Sequence, residues 1–449
     1  MTRSHWSNRW AFIMAAAGSA VGLGNIWKFP YMTGTNGGSA FVLVYLACVA
    51  LIGLPLMMTE IMLGRRAQKN PVDGMAQLAA EAGASQLWKG VGYLGIAAGV
   101  LILAFYSVVA GWVLDYIVRA ASGALTGIGA GEAQALFHSF IGNAGELLLW
   151  HTVFMFLTLY VVAHGVTSGL ERANKIMMPG LVVILLILLG YSLAVGDIGR
   201  SLDFMFRPDF SKITPAAVLA AMGQSFFSLS LGMGAVMVYG SYLQRHVSIA
   251  RAAFYIVLAD TAIAIVAGIA IFAIVFANQL EPAAGPGLVF QTLPIAFGHM
   301  PGGALFATLF FVLLAFAAWT SAISLVEPAV ALLTEKTRMR RVHATLLVGA
   351  LAWLLGIGAL LSFNAWSEVK LFGLNFFDQL DKLTTNIMLP LGGLLMALFA
   401  VWVMHAAHAQ EELALSDRPY RLWLFVTRYV APAAILLVFL NLIGWLPGL

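Results

Sequence analysis

The sequence predicts an all-α membrane protein of eleven transmembrane helices. Three observations carry this. The chain is 61% hydrophobic and only 10% charged, where a soluble globular protein carries about 25% charged residues. Apolar runs near 20 residues, the length that crosses a bilayer, recur along the whole chain. Ten-residue stretches of alternating polarity are absent, which excludes a membrane barrel. The single cysteine, Cys48, leaves no internal disulfide and no cysteine-based metal site. The net charge of +4 is spread through loops, so no nucleic-acid partner is expected. The partners implied are a small molecule and the lipid bilayer.

The first run, 10–34, follows a polar, basic start. It is too long for a cleavable signal and has no cleavage site, so none is expected. Its middle, Ala16 to Pro30, reads AAGSAVGLGNIWKFP, with Gly18, Gly22, Gly24 and Asn25 where a spanning helix should be continuous. Runs at 38–63, 90–120, 147–164 and 176–196 follow. The sixth, 214–243, is interrupted again: Ser228, Ser230, Gly232 and Gly234 fall at its midpoint. Uninterrupted runs at 250–278, 303–334, 342–362, 374–404 and 424–446 complete the set. With the N-terminus placed inside, 17 of the 24 Lys and Arg fall on inner segments and 7 on outer ones. That orients the chain by the positive-inside rule: N-terminus cytoplasmic, C-terminus outside. Three outer loops are long, 121–146, 197–213 and 279–302. The last holds an apolar stretch, LVFQTLPIAF, expected to dip back toward the outer mouth.

Glycine inside a helix costs about 1 kcal/mol against alanine. An unpaired backbone group in lipid costs several more, so a broken helix at membrane depth belongs where it lines a protein-enclosed cavity. For the first stretch alone, close packing of small residues is an open alternative. The second interruption, five spans later, favours a ligand site. An odd offset reverses a helix in the membrane, so the two halves form an inverted repeat. Paired interruptions in such halves mark a transporter's binding site. The repeats are about 10–196 and 214–404, with an additional helix at about 424–446, in a single domain covering 1–449.

Four stretches in order, GSAVGLGNIWKFPY (18–31), NGGSAFVLVYL (36–46), GQSFFSLSLGMG (223–234) and TSAISLVEP (320–328), together with Arg3, His5, Trp6 and Arg9, resemble the neurotransmitter:sodium symporters. The resemblance covers all eleven spans and is nearest to the short bacterial amino-acid transporters of that family. It implies the leucine-transporter fold, a 5+5 inverted repeat with helices 1 and 6 broken, and the sites that follow.

One sodium site would take the Ala20 carbonyl, the Asn25 side-chain oxygen, Ser228 and Asp260, completed by the substrate's carboxylate. A second would take carbonyls of Gly18, Val21 and Ala317 and the hydroxyls of Thr320 and Ser321. Oxygen ligands suit a hard cation, although a Thr-Ser pair in an apolar helix also bonds its own i−4 carbonyls. The chloride positions of the family correspond to Tyr45, Gln224, Ser228, Asp260 and Ala264. Ala264 offers no polar group, and the Asp260 carboxylate supplies a negative charge, so no chloride is expected.

The implied substrate pocket is Ser19, Ala20, Leu23, Gly24, Ile102, Tyr106, Phe227, Ser228, Ser230, Met233, Ser321 and Leu325. Gly22 stands where monoamine carriers have aspartate, which implies a substrate that brings its own carboxylate. Met233 is unbranched and adaptable, suiting several side-chain shapes. Lys28 and Asp381 match the outer charged gate above Phe227 and Tyr106. Arg3 with Glu335 and Trp6 with Tyr242 match the inner closing network; taken alone these charges would read as solvated surface. Glu60 would hold loose amides of the sixth helix. Gly169 and Pro179 resemble an unwinding device in the fifth. Glu327 has no assigned role, and the histidines form no metal set. No nucleophile–base pair suggests an enzyme.

The expectation is a symporter in the inner (plasma) membrane of a bacterium, importing hydrophobic or aromatic L-amino acids with two Na+ and without chloride. The alternatives are a carrier of another small carboxylate or aromatic metabolite, and a sodium-dependent sensor that transports poorly.

Overall fold

A computed structural model describes residues 5–282 and 287–442. Eight unbroken helices are long and apolar enough to cross a membrane: Ser39–Ala67, Gln86–Ala121, Ala144–Ala163, Val166–Val195, Ile249–Ala277, Gly303–Thr337, Arg341–Leu361 and Phe376–Val403. Three further expected spans are broken or composite. The first is Arg9–Ala20 followed by Gly24–Thr35, bent by 49°. The sixth is Pro215–Ser228 followed by Ala235–Ser241. The last runs through Asp417–Phe425, Val426–Val430 and Ala431–Leu442. Among the described residues there is no β-strand, only an isolated bridge between Leu371 and Leu374.

The expected boundaries hold within a few residues except at the starts of the fifth and eleventh spans, the latter at Asp417 and not 424; the expected end at 446 lies outside the described residues. The fifth begins at Val166, not 176. Glu171, Arg172 and Lys175 made that turn look like a loop, but the Glu171 carboxylate accepts from the Ser7 amide at 3.1 Å and from Lys175 Nζ at 2.5 Å. A charge with partners can enter the helix end. Gly169 lies in a π-helical turn, Val166–Glu171, and the helix then continues through Pro179. The expected unwinding is therefore not present in this conformation.

The two longest helices, Gln86–Ala121 and Gly303–Thr337, pack along each other and flank the broken pair. The outer loop re-enters as expected. Leu288–Thr292 and Leu293–His299 bring Phe290 to 1% exposure among Trp27, Trp112, Tyr116, Phe137 and Phe311. Tyr116 donates to the Phe290 carbonyl at 2.9 Å, which satisfies backbone that lipid could not.

The break in the sixth helix is a run of left-handed residues: Ser230 at φ 54°, Gly232 at φ 83° and Gly234 at φ 75°. A Cβ on Gly232 would stand 2.1 Å from the Leu389 carbonyl oxygen. Glycine is required there for its conformation and for its lack of volume. Glu60 accepts from the Gly232 amide at 2.6 Å, the supporting role expected for it.

Candidate functional site

The two breaks face each other across a small cavity lined by Ser19, Ala20, Gly22, Gly24, Ile102, Tyr106, Phe227, Ser230, Met233, Ser321 and Leu325. Ten of the residues expected to bind substrate are in this lining. Leu23 instead lines a second chamber above it, with Trp27, Lys28, Tyr31, Phe105, Phe377 and Asp381. Ser228 is buried behind the cavity. Tyr106 and Phe227 line both chambers and form the partition between them. The Tyr106 hydroxyl accepts from the Leu23 amide at 3.3 Å, one residue before the glycine expected to meet a carboxylate. The breaks also bind each other directly: Ser230 donates to the Ser19 carbonyl at 2.9 Å, and Gln224 Nε2 to the Gly24 carbonyl at 2.7 Å.

Behind the cavity, the Asp260 carboxylate receives Asn25 Nδ2 on Oδ1 and the Ser228 hydroxyl on Oδ2, each at 2.7 Å. Tyr45 lies 3.3 Å from the same hydroxyl. All of these side chains are fully buried or nearly so. Asn25 Oδ1 accepts from the Gly22 amide at 3.0 Å, so its nitrogen, not its oxygen, faces the carboxylate. A second cluster gathers the other five expected ligands. Thr320 Oγ1 is 3.4 Å from the Val21 carbonyl and 3.1 Å from the Ala317 carbonyl. Ser321 Oγ is 3.5 Å from the Gly18 carbonyl and 3.3 Å from the Val21 carbonyl. The bond to the i−4 carbonyl is present as well, from Thr320 to Phe316 at 3.0 Å. The hydroxyl protons thus bridge carbonyls that the break in the first helix leaves free.

The profile of the sodium:neurotransmitter symporter family matches residues 3–128 and 131–446. The chain belongs to that family. It is therefore a sodium-dependent membrane transporter and not an enzyme. It is 41% identical to an uncharacterized sodium-dependent transporter, YhdH, of Bacillus subtilis over 98% of this chain and 97% of that one. A second uncharacterized sodium-dependent transporter, from Haemophilus influenzae, is 36% identical over 98% of both chains. The crystal structure of MhsT in complex with L-phenylalanine superposes with a TM-score of 0.91 at 45% identity, covering 98% of this chain and all of that one. The leucine-transporter fold is thereby established.

The described residues expected at the two gates are engaged with neighbours. On the outer side Lys28 Nζ is 4.0 Å from Asp381 and 4.2 Å from the Phe227 ring centre. The ammonium group rests on the partition as well as facing the acid. On the inner side Trp6 is 1% exposed. Its indole donates to the Tyr239 carbonyl at 3.0 Å, its amide to the Tyr242 carbonyl at 3.2 Å, and its ring meets both tyrosines edge-on. The Arg3 half of the expected inner pair lies outside the described residues. Glu335 accepts from the amide and the side chain of Asn70, each at 2.9 Å.

Sequence reasoning gave Glu327 no role. It is fully buried, accepts from Tyr242 Oη at 2.8 Å and is clamped by both terminal nitrogens of Arg341. Arg341 also donates to the Val162 carbonyl at 2.8 Å. The group ties the inner half of the sixth helix to the eighth, the ninth and the end of the fourth. The signal was there: an acid inside an apolar helix demands a partner. What the sequence did not show was which of four nearby cations supplied it.

Proposed function

We propose that this symporter imports hydrophobic or aromatic L-amino acids together with two sodium ions and without chloride, across the inner membrane of a bacterium, with its N-terminus cytoplasmic and its C-terminus outside. One observation supports the reading: where the two broken helices meet they line one cavity with both freed backbone and apolar side chains. Its apolar wall is Ile102, Phe227, Met233 and Leu325, and its polar wall is the backbone of 19–24. MhsT, crystallised with L-phenylalanine, supports this substrate class.

The ammonium group faces carbonyls freed at Ser19, Ala20 and 227–230. The carboxylate lies by the Gly24 amide and the Tyr106 hydroxyl, and completes the first sodium site with Ala20, Asn25, Ser228 and Asp260. To serve as a ligand there, Asn25 turns its amide over and presents Oδ1 where Nδ2 now donates. The second ion sits among the carbonyls of Gly18, Val21 and Ala317 and the hydroxyl oxygens of Thr320 and Ser321, whose protons rotate away but stay bound. The Asp260 carboxylate provides the negative charge near Tyr45 and Gln224, where chloride-dependent relatives bind their anion. Alternating access exposes the cavity to each side in turn.

The test is thermal stabilisation of the purified protein by each of the twenty amino acids and by related small carboxylates, in sodium and in potassium. Phenylalanine, leucine and similar residues should raise the midpoint in sodium only. If no hydrophobic amino acid does so while a different carboxylate does, the substrate assignment fails.

A further inference from the structure

At the inner end of the molecule a hollow opens between the first and seventh helices, lined by Arg9, Ala250, Arg251, Phe254 and Tyr255. The Arg9 guanidinium lies 5.1 Å from the Trp10 ring centre, and Trp10 lies 5.9 Å from Tyr255. Three other inner arginines are paired with acids: Arg65 with Glu412, Arg66 with Glu81, Arg341 with Glu327. Among the described residues, no carboxylate pairs with Arg9 or Arg251.

Below the two cations the surface is apolar. Arg251, Phe254, Tyr255 and Leu258 share one face of Ile249–Ala277 at positions i, i+3, i+4 and i+7. Phe254 and Leu258 are each 51% exposed, Tyr255 41% and Trp10 53%. Cations at the head of an exposed aromatic and aliphatic stripe complement one kind of molecule: a phosphate carrying long acyl chains. Aromatic rings of this type collect at headgroup depth, and the cytoplasmic leaflet is the one rich in anionic lipid.

We propose that this hollow is a binding site for an anionic phospholipid. Its phosphodiester bridges the guanidinium groups of Arg9 and Arg251, which suit bidentate phosphate contacts. Its chains lie along Phe254 and Leu258. The two arginines sit on different units. Arg9 begins the short segment Arg9–Ala20, separated from the rest of its helix by the break, whereas Arg251 belongs to an unbroken helix of 29 residues. The bound lipid therefore staples the inner half of the broken helix to the unbroken helix beside it and favours the conformation in which the inner side is closed.

The full-length protein in neutral detergent is titrated with phosphatidylglycerol or phosphatidylcholine, and bound lipid is counted by native mass spectrometry. A third arm uses inorganic phosphate. Phosphatidylglycerol should be held roughly 20-fold more tightly than phosphatidylcholine, the effect of two basic side chains near a membrane surface. Arg9→Gln with Arg251→Gln should abolish the preference, and Arg9→Lys with Arg251→Lys should keep most of it. Each variant is checked for an unchanged thermal midpoint. Arg251→Gln alone, which leaves the first helix untouched, replaces the double variant if that fails to fold, and should lose at least half of the preference on a logarithmic scale. Equal retention of the two lipids, or a preference that survives the Gln variants, overturns the site. Inorganic phosphate that displaces phosphatidylglycerol at millimolar concentration overturns the lipid assignment and leaves an adventitious ion only.

Discussion

Asp260 is the one acidic side chain in a helix of 29 residues, and both of its oxygens are engaged, by Asn25 and by Ser228. In the proposed function this buried carboxylate carries the charge that an anion would otherwise bring, and Ala264 offers an anion no polar group. Uptake into proteoliposomes should be equal in chloride and gluconate media. In Asp260→Ser uptake in gluconate should fall at least tenfold, with chloride restoring part of it; a variant equally slow in both media sinks the charge-replacement argument. Asp260 was legible in the sequence because a mid-membrane acid costs about 2.5 kcal/mol or more without compensation. Its immediate partners came only with the family's register, since Asn25 and Ser228 lie 235 and 32 residues away. The placement of Lys28 against the Phe227 ring was not legible at all. A charge pair can be read from two charges, but a cation over a ring depends on rotamers.

The inner half of the first helix, Arg9–Ala20, is a separate element packed against Ile249–Ala277 and Gly303–Thr337, with polar anchors just before its start. Trp6 sits between Tyr239 and Tyr242, and Ser7 is bound to Glu171. Truncating a buried Trp costs about 3–5 kcal/mol, and here the loss falls on the inner-closed state. In Trp6→Ala, amides of 9–20 should exchange with deuterium at least tenfold faster, while those of 303–337 stay unchanged. Uniform acceleration of both would mean general destabilisation and not a released gate. The breaks were legible in the sequence because glycines and serines in an apolar run have no cheap alternative reading once they occur twice. The start of the fifth helix was not. Charges at its end look like a loop until Ser7 and Lys175, one of them from across the molecule, are seen to satisfy Glu171.

At the scale of the whole molecule the question is how much work the gradient can do. One charge crossing ~100 mV is worth about 2.3 kcal/mol, and a tenfold sodium gradient adds about 1.4 kcal/mol. Two ions thus supply roughly 7 kcal/mol, enough for about 10⁵-fold accumulation of a zwitterion, whereas one ion gives a few hundredfold. Proteoliposomes clamped at known potential and gradient decide between them. A reversal point that moves with the square of the sodium ratio supports two ions, and one that moves with its first power removes the second site. The many apolar helices and the two broken ones were legible from hydropathy and the placement of glycines, because lipid permits so few solutions, whereas the leucine-transporter fold came with the family resemblance. The conformation was not legible, because the same residues build every state of the cycle.

Only two rings, Tyr106 and Phe227, separate the central cavity from the chamber above it. A partition that thin can be jammed. A compound whose head fits the lower space but whose tail is too long to stay there would lift Phe227 against Lys28 and prise that cation from Asp381. It would act as a wedge: carried by nothing, released slowly, and selective for this transporter over relatives whose outer charge does not rest on the ring below it.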